Sequence, residues 1–133
     1  QLHKDMNSAR IVHCNPRMKK NIYQSTTYLA YKICSELHDM SEHLWIAAVG
    51  MIGDYNLEDS QDVVKEIMKK YGVEKDLYKS FLGRITDMIS AAQSTKAMNC
   101  EQLVRLMENS GLEEVKKNEK LPAPILRCSP NTG

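Results

Sequence analysis

The run Leu44-Trp45-Ile46-Ala47-Ala48-Val49-Gly50-Met51-Ile52 constrains this chain more than any other stretch. A helix built from it has no polar face to leave in water, so it must be covered on most sides by neighbours. Its nine positions fall well short of the ~20 apolar residues that span a bilayer. A core helix is therefore expected, and no membrane partner. The character changes abruptly at Gly53-Asp54-Tyr55-Asn56. Gly50 and Gly53 lie three apart, on one helix face, where missing side chains permit close approach of another element. A glycine inside a helix costs about 0.5–1 kcal/mol relative to alanine, so two of them ask for a packing or functional reason. Asp54 then carries a charge out of an apolar body. Two roles suit it: a ligand to a metal or other cation, or a residue that caps and tightens the following turn.

The apolar spacing elsewhere predicts more helices. Ser25 or Thr26 can cap one carrying Leu29, Ile33 and Leu37 at four-residue intervals, with Cys34 beside them. Ser41 can cap the apolar helix itself. Asp59 or Ser60 opens another, with Val63, Val64, Ile67, Met68 and Tyr71 inward and Gly72 as its stop. A further helix is expected from about Lys75 to Ala92, with Leu77, Phe81, Ile85, Met88 and Ile89 on one stripe. Asn99 and Gln102 form a capping-box-like start to another, running through Leu103, Leu106 and Met107 to Gly111, and residues 112–117 add room for one more turn. Ile11-Val12-His13-Cys14, stopped by Asn15-Pro16, reads as one short strand. The expectation is thus a mainly α chain with five to six helices and one short strand. Residues 1–121 would form the folded part, and 122–133, rich in proline, a linker or frayed tail.

Composition excludes some classes. With 133 residues, 42% hydrophobic and 26% charged, the chain suits one globular domain and not a disordered tail. A net charge of +1 names no partner, although residues 1–20 hold five basic residues against Asp5 alone. The four cysteines, at 14, 34, 100 and 128, include no CxxC pair, which argues against a zinc ribbon. Together with the lack of a signal-peptide pattern, they point to a reducing, cytoplasmic setting. His38 and His43, five positions apart, stand about 140° apart on a helix and do not share a face as the histidines of HExxH do. No P-loop, dinucleotide fingerprint or GxSxG elbow occurs.

The segment from Ala47 to Asp54 resembles the fourth signature motif of the DHH phosphoesterases, with Gly50, Met51, Ile52, Gly53 and Asp54 as the matching residues. Upstream, Ile11 through Arg17 resembles the strand and Asn-Pro segment that follows the family's Asp-His-His. Ser25 through Leu37 resembles the helix between that strand and the fourth motif. The similarity covers residues 11–56 and is looser over 60–118; the RecJ-like branch is the nearest in pattern. The resemblance implies the C-terminal half of an α/β DHH domain and a parent that hydrolyses phosphodiester bonds with two Mn2+ (or Mg2+) ions. It implies Asp54 as a metal ligand, and single-stranded nucleic acid or oligonucleotide as substrate, with cyclic dinucleotides, polyphosphate and pyrophosphate open. Asn15 is the candidate for orienting a metal ligand or a substrate phosphate. The family's Asp-x-Asp and Asp-His-His motifs do not occur in this sequence. Two metals about 3.5–4 Å apart cannot be held by one carboxylate, so the chain alone is expected to be inactive. A second expectation is a non-catalytic helical module of a replication or repair complex.

Overall fold

The computed structural model describes residues 10–94 together with 101, 102, 105 and 112. Within residues 10–94 five α-helices follow one another: α1 (Arg17–Lys20), α2 (Thr26–Ser35), α3 (Leu44–Gly53), α4 (Gln61–Tyr71) and α5 (Phe81–Ser94). Short 3-10 turns at Ser41–His43 and Glu58–Ser60 lead into α3 and α4. Among the described residues there is no strand. The strand expected at 11–14 is instead irregular chain in which Ile11 is 56% and Val12 87% exposed. A β-segment needs another strand to accept and donate its backbone hydrogen bonds, and the helices offer none. The described architecture is therefore all-α, which corrects the α/β half-domain that the resemblance implies.

Helix α3 is the centre of the core. Leu44, Trp45, Ala47, Ala48, Val49, Met51 and Ile52 are all buried, as a helix without a polar face requires. It packs chiefly against α2 and α5, and also against α4. On the α2 side, a side chain at Gly50 would overlap that of Thr27, so the two helices meet where glycine leaves space. Gly53 is less demanding: a methyl there would rest 3.4 Å from Thr86 Cγ2 on α5, an ordinary contact.

Helix α2 begins as its sequence predicts, with Ser25 extended (φ −65°, ψ 152°) and its hydroxyl accepting the Tyr28 N–H at 3.1 Å. Its buried face is not the predicted one. Tyr28 and Tyr31 go inward, whereas Ile33 and Leu37 remain 52% and 73% exposed. Each buried ring can end on a carboxylate of α4: Tyr28 donates to Asp62 at 3.2 Å and Tyr31 to Glu66 at 2.9 Å. The rings thus bury large apolar areas without stranding their hydroxyls. Cys34, expected to be buried, is only half-buried, and both it and the exposed Cys14 are free thiols.

Helix α4 buries Val63, Val64 and Ile67 and stops at Gly72, which takes the left-handed conformation (φ 65°) while the Val73 N–H reaches the Met68 carbonyl at 3.0 Å. The helix expected from Lys75 starts only at Phe81. Asp76 and Ser80 hold the intervening chain in turns: Asp76 accepts the Tyr78 N–H at 2.9 Å, and the Ser80 hydroxyl donates to the Leu77 carbonyl at 2.6 Å. Leu82, Ile85 and Thr86 form the buried face of α5. Most of the helix expected at 99–111 lies outside the described residues, as do the turn beyond it and the tail at 122–133; Glu101, Gln102, Arg105 and Leu112 are helical, and Leu112 packs on the core. Among the described residues no helix is long and apolar enough to cross a membrane.

Candidate functional site

Asp54 stands at the end of α3 as its C-cap, its N–H bonded to the Gly50 carbonyl at 3.1 Å. The buried helix holds the backbone in place while the side chain is exposed. Its carboxylate accepts a long hydrogen bond, 3.4 Å, from the Tyr23 hydroxyl. Tyr23 is fixed in turn: its N–H donates to Asp59 at 2.9 Å and its carbonyl accepts from Asn56 at 2.8 Å. Gln24 adds a 2.7 Å bond to the Asp59 carbonyl. These contacts stitch the segment before α2 to the turn after α3, so that the surroundings of Asp54 are built from residues more than thirty positions apart.

The electrostatics of Asp54 run against its local position. A helix C-terminus is the negative end of the helix dipole, where a carboxylate is disfavoured by about 0.3–1 kcal/mol. The last turn of α3 contains no basic residue, and among the described residues no lysine or arginine pairs with Asp54. Asp62 on α4 shows the contrast. Burial pushes its carboxyl up, but hydrogen bonds from Lys32, the Val63 N–H and Tyr28 more than offset this and hold it below the usual carboxylate range. Both partners of the 3.1 Å Lys32–Asp62 pair are about half exposed, so the pair contributes at most about 1 kcal/mol.

Asp54 lines two depressions. One, of about 350 Å3, is formed with Ser25, Thr27, Gly50, Thr86 and Gln93. The other, of about 500 Å3, is formed with Tyr23, Tyr55, Asn56, Glu58 and Tyr78. Three of the tyrosines thus meet at the site, a grouping that sequence reasoning missed. The only signal available was Tyr55 beside Asp54; Tyr23 and Tyr78 are brought in by folding. A larger and mainly apolar cavity of about 760 Å3 lies between α2, α3 and α4, lined by Ala30, Tyr31, Cys34, Trp45 and Tyr71. Neither Asp54 nor Asn15 lies on its wall, whereas His43 does.

Asn15 is used locally. Its side-chain oxygen accepts the Arg17 N–H at 3.2 Å and its carbonyl the Met18 N–H at 3.1 Å, which starts α1. The path from it to Asp54 runs through Arg17, whose guanidinium sits 5.3 Å from the Tyr23 ring centroid. His38 and His43 are exposed on either side of a turn tightened by the bond from the Ser41 N–H to Asp39 at 2.9 Å. Among the described residues, no group of three or more His, Cys, Asp or Glu side chains could hold a metal ion. A two-metal centre therefore does not fit these residues on their own. Asp54 can offer one carboxylate to such a centre.

Compared with family models, curated proteins and solved structures, the chain matches none.

Proposed function

We propose that this chain is a helical module that supplies one carboxylate, Asp54, to the divalent-metal centre of a phosphoesterase of DHH type, whose other ligands come from outside the described residues. The observation that carries this reading is the carboxylate itself. It is exposed at the unfavourable end of the most buried helix, and among the described residues no basic side chain opposes its charge. A side chain that works against its local electrostatics marks a position kept for something other than stability. The substrate class in this reading is single-stranded nucleic acid or oligonucleotide, the metal Mn2+ or Mg2+, and the setting the reducing cytoplasm, with which two free thiols agree. No catalytic step is assigned to the described residues, because one ligand does not make the centre.

A second reading, a non-catalytic interaction module, is favoured by the exposed apolar side chains of Ile33 on α2 and Leu37 in the turn after it. The two separate on one experiment. Manganese-dependent hydrolysis of a labelled single-stranded oligonucleotide is measured for the whole protein and its Asp54→Asn variant, with circular dichroism to show equal folding. Asparagine keeps the shape and the turn but removes the charge. The metal reading expects turnover to fall by orders of magnitude. Equal activity in the variant removes Asp54 from the metal centre, and no hydrolysis by the unaltered protein leaves the interaction module.

A further inference from the structure

We propose that the depression at the C-terminal end of α3 is a cation cage that takes the guanidinium of an arginine from a basic segment of a partner protein. Tyr55 and Tyr78 lie nearly parallel there, with ring centroids 5.9 Å apart and planes 14° from one another. Tyr55 is 79% exposed, and Tyr23 contributes a third ring to the same wall. The faces of phenol rings carry negative charge and attract cations, more strongly where water is partly excluded. Asp54 and Glu58 line the same 500 Å3 space, and among the described residues no lysine or arginine does. The Tyr78 hydroxyl reports the same environment: its pKa is raised first by burial and then by the charge of Asp76, with smaller effects from Tyr55 and Glu58.

Rings and carboxylates together specify a cation with a flat, hydrogen-bonding head. Arginine fits this better than lysine, because its planar guanidinium stacks on a ring while its N–H groups fork to carboxylates. The fold already shows the contact once, with the Arg17 guanidinium 5.3 Å from the centroid of Tyr23. The acidic rim opposes a phosphate backbone, so in the absence of metal a nucleic acid is the wrong occupant. With divalent ions removed the cage does not rest on the metal reading: Glu58 and the three rings line the depression whatever the role of Asp54.

The test is a titration of protein carrying isotope-labelled tyrosine with the peptide acetyl-Gly-Gly-Arg-Gly-Gly-amide, in EDTA, followed by the ring signals. Saturable shifts at Tyr55 and Tyr78 are expected. They should become about fivefold harder to saturate in Tyr55→Asn, which removes the ring while suiting the left-handed backbone there (φ 52°). Glu58→Gln leaves the rings in place and should also weaken binding, with a smaller dependence on salt. Equal shifts with the citrulline peptide, which lacks the charge, overturn the proposal. So does an absence of saturable shifts, or binding of a single-stranded oligonucleotide to these rings in place of the peptide. EDTA removes divalent ions, so failure of the cage leaves the metal reading standing, and the reverse also holds.

Discussion

Between α2 and α3, the Thr27 side chain occupies the space that a Cβ at Gly50 would need. In an unstrained helix alanine is favoured over glycine, by roughly 0.5–1 kcal/mol. At this crossing the order reverses, because the methyl cannot enter without parting the helices or turning Thr27 off its rotamer. Gly50→Ala should destabilise the fold by about 1–3 kcal/mol, the usual cost of overpacking. Urea unfolding of the two proteins measures it, and Thr27→Gly in the same chain should recover part of the loss. A Gly50→Ala variant as stable as the parent would show that α2 and α3 do not approach this closely. Gly53, its neighbour in the sequence pattern, has ordinary room and should be far less sensitive. Sequence spacing made the two glycines look equivalent; their different neighbours separate them.

Helix α3 carries its fold requirement in its composition, and the structure meets it with α2 and α5 on its flanks and α4 beside them. Opening it would expose Leu44, Met51 and the rest of the buried set at once, at about 1.5–3 kcal/mol for each large side chain. Its amides should therefore exchange with solvent only through global unfolding, more slowly than those of α1 or the 3-10 turns. Hydrogen exchange checks this, and fast exchange across 47–52 would contradict the packing. For α2 the pattern was less informative. Its aliphatic stripe, Leu29-Ile33-Leu37, has the spacing of a buried face, yet two of the three stay exposed. What decides is the neighbour: α4 offers Asp62 and Glu66 as acceptors, which a tyrosine can use and an isoleucine cannot.

For the molecule as a whole, the same tyrosines set an alkaline limit. Burial, and then the hydrogen bond and charge of Glu66, push the Tyr31 hydroxyl up to about 12, and burial raises Tyr71 to about 12 as well. From pH 10 to about 12 the unfolded chain gives up these protons before the folded one does. The folded state then binds more protons than the unfolded state, so its stability falls as pH rises through that window. Urea midpoints at pH 8, 10.5 and 11.5 should drop in order, and Tyr31→Phe should make the decline shallower. An unchanged decline would mean that Tyr31 ionises alike in both states. Local pattern sufficed for what depends on one segment: the apolar helix around Ala47, the Ser25 cap and the Gly72 stop each follow from side-chain chemistry within a few residues. It also marked Asp54, where charge follows apolar sequence without a break. Only the tertiary structure decided which face of α2 turns inward, that Ile11 and Val12 pair with no strand among the described residues, and that Tyr23 and Tyr78 meet Tyr55 beside Asp54. Those outcomes depend on partners distant in the sequence, and periodicity along one segment carries no information about what will lie across from it.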